Sequence, residues 1–269
     1  MKVLSYALPE ELENHRSFLQ QHLHRTVALF PESVGLVNAT YPDDIDPFGS
    51  RIGGPAITTE DFPWPTDQTG SQLLHVAQIN LGDLPTHPSH PDAGLLQIFM
   101  PRIDRNNVHN EPGFRGTDAV VRTIPSSEFP YAVLEGSLEN QTNALHSGFF
   151  ELELECFNQF PALHSNDFDS LQQLYGIAFS IEEQTAFTDL LEDTPQTFLE
   201  PDALQLFGSD RASDDDQLLL QVHSIPEHES EFGVELSWGK SEVLQFFLPA
   251  TNSSSPDLEG AYYRFKQAD

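Results

Sequence analysis

Two apolar runs in the first half of the chain have the hydrophobic pattern of buried β-strands. Residues 74–79 form the first run and residues 95–100 the second. Strict alternation divides the first run into two faces, with Leu74, Val76 and Gln78 on one and His75, Ala77 and Ile79 on the other. Because both faces are mostly apolar, this pattern predicts an interior strand of a sheet.

Other stretches predict further strands and an N-terminal helix. The helix is predicted over residues 9–25, where leucines recur at helical spacing behind Pro9. Strands are predicted at residues 34–37, 119–124, 132–134 and 150–156. The last strand alternates cleanly, with glutamates at 151, 153 and 155 opposite apolar side chains, so we expect one of its faces to meet water.

Two helices are predicted between the β-rich portions of the chain. The first begins at Asn166 or Asp167 and ends near Tyr175, just before a glycine. The second is introduced by Ser180 and Glu183, which have the spacing of a capping box, in which each side chain bonds the other residue's backbone N–H. This pair of helices is expected to connect two β-rich portions.

Two features before the first run have fixed backbone roles. Gly53 and Gly54 precede a proline, which predicts a tight corner. Trp64 stands between two prolines that exclude both a central strand and a continuing helix, so its ring is held in one place. We expect the ring to plug one end of a core, and stacking on a ligand is the alternative.

Four short motifs resemble the sequence pattern of the YwqG-like family of bacterial proteins. They are Ser50-Arg51-Ile52-Gly53-Gly54-Pro55, Trp64-Pro65, His75-Val76-Ala77-Gln78-Ile79-Asn80-Leu81 and Gly94-Leu95-Leu96-Gln97-Ile98-Phe99. The resemblance is clearest from Ser50 to Met100 and continues more weakly toward the C-terminus. It implies a predominantly β, soluble, intracellular module. The family has no established activity, so the resemblance implies no catalytic residues.

The second half of the chain echoes the first. Residues 217–223 resemble residues 72–78, and residues 243–249 resemble residues 95–101. This order predicts a duplicated β unit. We therefore expect an α+β fold, predominantly antiparallel β, in one domain over residues 1–269. Its predicted parts are the N-terminal helix (9–25), a first β-rich half (50–160), a helical connector (165–195) and a second, similar β-rich half (200–269).

Four glutamines interrupt the apolar strands, namely Gln78, Gln97, Gln221 and Gln245. A buried amide without a partner costs about 1–3 kcal/mol, so each glutamine is expected to bond the backbone or another amide. Ligand recognition is the alternative, and convergence of several glutamines with Arg51 at a cleft would favour it.

The charge of the chain is strongly negative and unevenly distributed. The formal net charge is −30, and residues 123–269 carry 27 acidic and 4 basic residues. Such a field repels nucleic-acid phosphates, so binding to DNA or RNA is not expected. With one cysteine, no apolar leader and no run long enough to span a membrane, the sequence predicts a soluble cytoplasmic protein without a membrane partner.

Motifs of known chemistry are absent from the sequence. It has no P-loop, Rossmann fingerprint, nucleophile elbow, metalloprotease pair or cysteine metal motif, so we expect no cofactor. His87, His90 and Asp92 lie close together, but an exposed loop explains them better than a metal site does. The sequence therefore favours a non-enzymatic protein, but it does not decide whether the protein is an enzyme.

Two hypotheses for function remain. The first is a non-enzymatic protein-binding module, an immunity-type neutraliser of a basic partner such as a toxin or nuclease. Its candidate partner-binding residues are Asp210, Asp214, Asp215 and Asp216. The second is a small-molecule-binding protein or enzyme with a cleft, whose candidate ligand-binding residues are Arg51, Trp64, Gln78, Gln97 and Arg102. Acidity that serves only solubility is a third explanation of the charge.

Overall fold

Strands account for most of the regular structure in the computed structural model. The model describes residues 8–21, 24–37, 40–84, 93–102, 115–136, 145–146, 148–159, 179–186, 205–206, 217–238, 243–249, 258 and 260–266. Within these ranges the strands are β1 (His24–Gly35), β2 (Arg51–Ile52), β3 (Ala56–Thr58), β4 (Leu74–Asn80), β5 (Leu95–Met100), β6 (Val120–Ile124), β7 (Val133–Glu135), β8 (Leu145–His146), β9 (Gly148–Gln159), β10 (Gln205–Leu206), β11 (Gln217–His223), β12 (Glu235–Leu236), β13 (Val243–Leu248) and β14 (Tyr262–Lys266).

Ten of these strands form one sheet, and neighbouring strands in it are antiparallel. Their order is β14-β13-β11-β10-β1-β9-β2-β4-β5-β6, so both β-rich portions of the chain contribute to it. The long strands β1 and β9 pair along their whole length at its centre. Two separate ribbons, β3 with β7 and β8 with β12, complete the strand pairing. The prediction of a mainly antiparallel β protein is confirmed.

The N-terminal helix ends earlier than the sequence predicts. A 3-10 helix, Glu10–His15, continues into α1, Arg16–Gln21, and β1 has already begun at His24. The predicted helix boundary at residue 25 is therefore wrong. The residues that follow, Thr26 to Phe30, include β-branched and aromatic side chains that favour an extended backbone. Of the strand predicted at residues 34–37, the first two residues are the end of this longer β1 and the last two lie beyond it.

The interior position predicted for the first apolar run is confirmed, but the predicted face of His75 is not. β4 lies between β2 and β5, and a β-bulge falls between His75 and Ala77. His75 is opposite Phe99, and Gln78 is opposite Gln97, so His75 and Gln78 lie on the same face. The bulge adds a residue and resets the alternation, which sequence periodicity alone does not reveal.

One face of the sheet carries the main apolar core. Val27, Leu29, Phe150, Ile98 and Phe246 belong to a single buried cluster that draws side chains from both β-rich portions. The sheet curls around this cluster. Gly116, just before the edge strand β6, exchanges two backbone hydrogen bonds of 2.9 and 3.0 Å with Tyr263 in the opposite edge strand β14.

The capping box predicted for the second connector helix is confirmed. Ser180 N–H donates to Glu183 Oε2 at 2.6 Å, and Glu183 N–H donates to Ser180 Oγ at 3.2 Å, ahead of helix α2 (181–186). Glu183 Oε1 also lies 2.8 Å from Nε2 of His15, so it links this helix to the N-terminal one. The hydrogen bond from Ser180 N–H, followed by the contact with His15, lowers the pKa of Glu183. The helix predicted from Asn166 lies outside the described residues.

No helix in the part of the chain that the structure describes is long and apolar enough to cross a membrane.

Candidate functional site

A row of polar side chains crosses the sheet on the face opposite the main core. In the register of four neighbouring strands, Arg51 is paired with Gln78, Gln78 with Gln97, and Gln97 with Arg122. Residues directly opposite one another in neighbouring strands project from the same face. We call these four residues the first polar row. Three of them, all except Arg122, are residues that the sequence singled out.

Hydrogen bonds join three of the four side chains of the first polar row directly. Arg122 Nε donates to Gln97 Oε1 at 3.0 Å, and Gln97 Nε2 donates to Gln78 Oε1, also at 3.0 Å. Gln78 Nε2 then donates to the carbonyl oxygens of Pro47 and Gly49 at 2.9 and 3.2 Å. The expectation that the buried glutamines bond backbone or another amide is confirmed for both glutamines of this row.

The two glutamines bond the backbone of one residue of strand β3, Ile57. Ile57 N–H donates to Gln78 Oε1 at 3.1 Å, and Ile57 C=O accepts from Gln97 Nε2 at 2.9 Å. The side-chain amides thus replace the neighbouring strand that would otherwise bond this edge of β3. The β3–β7 ribbon is thereby attached to the face of the sheet.

Arg51 bonds the backbone on both sides of β2. Its guanidinium donates to the carbonyl oxygens of Asp46, Gly49 and Pro55, and the residue is only 1% exposed. Burial lowers its pKa to about 10, although the charges of Asp46 and Glu151 act in the opposite direction. The guanidinium is therefore directed at its own backbone.

Arg122 is the functional-site candidate that sequence reasoning missed. Its Nη1 donates to the carbonyl oxygen of Pro63 at 2.6 Å, and its guanidinium carbon lies 5.1 Å from the ring centroid of Phe99. Burial lowers its pKa to about 10. Its Nη2 is buried and has no hydrogen-bond partner among the described residues. A basic residue at the centre of the apolar β6 pattern was the available signal.

Trp64 lies beside the row in a cluster with Ala56, Leu73 and Phe99. Its ring is buried, and Nε1 donates to the carbonyl oxygen of Leu73 at 2.9 Å. This placement agrees with the expectation of a core plug.

His75 is buried in the same region, with Nδ1 3.2 Å from the carbonyl oxygen of Gly54. Its ring centroid is 5.2 Å from that of Phe99 and 6.2 Å from that of Trp64. Nε2 is buried and finds no hydrogen-bond partner among the described residues. Burial is the main cause that lowers the pKa of His75, to about 4, so the imidazole is neutral at pH 7.

The remaining predicted site residues are not brought into this row. Arg102 is exposed just beyond the end of β5. Asp210, Asp214, Asp215 and Asp216 lie outside the described residues, as do His87, His90 and Asp92. Within the ranges that are described, no group of three or more histidine, cysteine, aspartate or glutamate side chains could hold a metal ion.

A second polar row lies in the other β-rich portion. Gln221 is paired with Gln245, and Gln245 with Arg264, in β11, β13 and β14. Gln245 Nε2 donates to Gln221 Oε1 at 2.6 Å, which is the same direction as the bond from Gln97 to Gln78. The guanidinium carbon of Arg264 lies 5.2 Å from the ring centroid of Phe247.

The centre of the sheet carries exposed carboxylates on the face of the polar rows. Glu151, Glu153 and Glu155 alternate along β9 and are exposed, as the sequence predicts, and Glu32 in β1 is exposed directly opposite Glu151. We call these four residues the acidic strand face. No lysine, arginine or histidine among the described residues forms an ion pair with any of them.

Comparison with known proteins places most of the chain in one family. The sequence profile described as a domain of unknown function (DUF1963) matches residues 50–266. The chain belongs to this family. The match begins at Ser50, the residue before Arg51. A search of curated proteins gave no significant match.

Proposed function

We propose that this protein is a non-enzymatic protein-binding module that recognises a basic partner through the acidic strand face. One observation carries the proposal. Glu32 and Glu151 face each other across β1 and β9, with Glu153 and Glu155 following along the same strand. Glu151 is also opposite Arg51 in β2, and its charge favours the charged guanidinium, but Glu32 on its other side adds a like-charge repulsion that destabilises the sheet. A cationic surface placed over the four carboxylates would relieve their repulsion.

The charge of the whole chain supports the same kind of partner. A net charge of −30 accelerates association with a basic protein, and local carboxylates then fix where the partner docks. Asp210, Asp214, Asp215 and Asp216 are proposed to extend the contact. In its most specific form, the proposal is an immunity-type protein that neutralises a basic toxin or nuclease.

The alternative of a ligand cleft has less support from the geometry. Arg51, Gln78 and Gln97 converge as that alternative requires, but their donors are directed at backbone carbonyls and at each other. Trp64 likewise donates to Leu73. A role in positioning the segment around Ile57 accounts for these residues, and Arg102 is exposed beyond the end of β5.

The polar rows also support the internal duplication that the sequence predicts. In each half a glutamine–glutamine–arginine row spans three strands, and a bulge precedes the first glutamine, between His75 and Ala77 or between Leu218 and Leu220. We propose that the halves are related by an axis between β1 and β9. For this proposal the halves are taken as residues 1–140 and 141–269, and the long strand of each half is exchanged, because β1 pairs with β10 and β9 pairs with β2.

Fragment complementation tests the exchange. Residues 1–140 alone would leave β1 without β9 and β10, its two neighbours, so we expect neither this fragment nor residues 141–269 to fold alone. Mixed together, they should recover the circular-dichroism spectrum of the whole chain. A fragment that unfolds cooperatively by itself would contradict the proposed exchange.

Affinity capture tests the proposed function. Tagged protein is used to capture partners from lysate of its own host at low and at high salt, followed by mass spectrometry. A matched pair of variants serves as bait beside the wild type. The face variant, E32Q/E151Q/E153Q/E155Q, removes the acidic strand face. The control variant, E10Q/E11Q/E182Q/E229Q, removes the same number of exposed carboxylates elsewhere.

A stoichiometric basic protein should be retained by the wild type and the control variant at low salt and released at high salt. The face variant should not retain it. A partner that both variants retain equally would refute the assignment to this face.

Two further expectations from the sequence stay predictions. They are that the family is the YwqG-like one and that the protein works in the cytoplasm.

A further inference from the structure

The outer edge of the β3–β7 ribbon has no strand beside it within the described residues. β7 pairs with β3 through Ala56 with Glu135, Ile57 with Leu134, and Thr58 with Val133. β3 itself is fully buried, whereas each residue of β7 is exposed. One edge of β7 is therefore open in the part of the chain that the structure describes.

The hydrogen bonds of Ile57 determine which groups that open edge presents. Ile57 directs both its N–H and its C=O away from β7, toward Gln78 and Gln97. Because successive residues of a strand direct these groups to alternate sides, Ala56 and Thr58 bond to β7, and their partners Glu135 and Val133 bond to β3. Leu134 must then direct its N–H and C=O to the open edge.

Exposed apolar side chains surround this pair of backbone groups. Tyr131, Val133 and Leu134 are 72%, 56% and 36% exposed. Such a concentration within four residues differs from the scattered single apolar residues of an ordinary surface. It provides apolar contact on the edge where a strand could add.

The charges nearest in the chain are all acidic. Glu128, in the 3-10 helix Ser126–Tyr131, and Glu135, in β7, flank the apolar residues, and Glu60 and Asp61 follow Thr58, the partner of Val133. A second copy of this chain would bring these carboxylates against their own equivalents. An extended segment with alternating basic and apolar side chains matches both the charge and the exposed apolar groups.

We propose that β7 is a strand-addition site for an extended basic segment of a partner protein, which bonds the N–H and C=O of Leu134. This inference rests on the proposed function, because it assigns a second contact to the same basic partner. Three residues offer only one two-bond contact, so side-chain contacts with Tyr131, Val133 and the nearby carboxylates must provide the remaining affinity.

Hydrogen exchange of single backbone amides, followed by NMR on the full chain, tests the open edge first. In the free protein, the amides of Val133 and Glu135 should exchange slowly because they bond to β3. The amide of Leu134 between them should exchange at least ten times faster. Equal protection of all three amides would overturn the proposal, because it would mean that the edge is already covered.

A defined peptide then tests the occupant. The probe is an acetylated heptapeptide of alternating lysine and valine, and the control peptide alternates glutamate and valine. The basic peptide should slow exchange at Leu134 at least tenfold, whereas the acidic peptide should leave it unchanged. Protection that rises with protein concentration and without peptide would instead identify a second copy, and would refute the basic segment.

Two variants separate the backbone contact from side-chain packing. Leu134→Pro removes the outward N–H, fixes φ and removes part of the leucine side chain, whereas Leu134→Ala keeps that N–H and removes a similar amount of apolar contact. The proline variant should lose at least ten times more affinity for the basic peptide than the alanine variant, provided that both retain the circular-dichroism spectrum of the wild type. Equal losses would refute strand addition.

These results are distinguishable from failure of the proposed function. If the face variant loses the captured partner but the lysine–valine peptide does not protect Leu134, the acidic strand face acts without β7. If the peptide protects Leu134 but both charge variants retain the partner, the edge site stands and the assignment to the acidic strand face fails.

Discussion

Gln97 donates a hydrogen bond to Gln78 across β5 and β4, and through this contact the two residues bond both the N–H and the C=O of Ile57. A single pair of side chains therefore joins two sheet strands to the segment that covers them. Because Arg122 donates to the same glutamine from the next strand, removal of Gln97 would leave several buried groups without partners.

Replacing Gln97 by leucine tests this role. We expect Gln97→Leu to lower the free energy of unfolding by about 3 kcal/mol, since it leaves Ile57 C=O and Arg122 Nε unpaired and removes one of the two hydrogen bonds to Gln78 Oε1. Denaturant unfolding measures the loss. Gln68→Leu, at an exposed position, is the control and should change stability by less than about 0.5 kcal/mol. A cost for Gln97→Leu no larger than for the control would exclude the bonding role.

The buried imidazole of His75 should make stability depend on pH. Its pKa is lowered from 6.5 to about 4, chiefly by burial, and the charge of Arg51 acts in the same direction. The unfolded chain therefore takes up a proton below pH 6.5 that the folded protein does not bind until about pH 4. The contribution from His75 is complete above pH 6.5 and is lost as the pH falls to about 4, by roughly 3 kcal/mol.

A comparison with His75→Phe isolates this effect from the titration of carboxylates. Unfolding free energies of both proteins are measured between pH 4 and pH 7.5. The wild type should lose about 3 kcal/mol more than the variant over this interval. Parallel curves would mean that His75 titrates alike in the folded and unfolded states.

The corner before β3 should not tolerate a side chain at Gly54. Its φ is +68°, and an added Cβ would lie 2.9 Å from Cγ of Phe149, which is buried. Gly70 is a matched control, since its φ is +84° and an added Cβ would contact nothing within 4 Å.

Gly70→Ala should cost about 1 kcal/mol from backbone strain alone, and Gly54→Ala should cost about 2 kcal/mol more because Phe149 must move. Thermal and denaturant unfolding of the two variants measure the difference. Equal costs would indicate that the ring moves without penalty.

Removing one carboxylate from the acidic strand face should stabilise the protein. Glu32→Gln eliminates the repulsion with Glu151, so we expect a gain of about 0.2–1 kcal/mol at low salt that disappears near 1 M salt. Glu10 lies on the N-terminal 3-10 helix and has no glutamate opposite it in the sheet. Glu10→Gln should therefore give no such gain in stability. A loss of stability for Glu32→Gln would mean that Glu32 has a structural partner.

Local patterns in the sequence predict much of this fold. The interior position of β4, the alternation of Glu151, Glu153 and Glu155, and the capping box of Ser180 and Glu183 each depend on neighbours in the chain. The bonding of the glutamines was also predictable, because a buried amide requires partners wherever the fold provides them.

Features that depend on distant contacts were not predictable in this way. The bulge beside His75 moves that residue to the other face, and β1 extends from His24 because β9, more than a hundred residues away, pairs with it. Arg122 joins the first polar row only because the register of β5 and β6 places it opposite Gln97. A sequence pattern contains no information about which residues oppose one another across strands, so the row could not be assembled from it.

The central claim is that the acidic strand face recognises a basic partner, and calorimetric titration of the captured partner into the two matched variants tests it most directly. The face variant and the control variant have the same net charge and differ only in where the carboxylates were removed. We expect the face variant to bind at least tenfold more weakly than the control variant at low salt, with the gap narrowing at high salt. Equal affinities of the two variants would contradict the account.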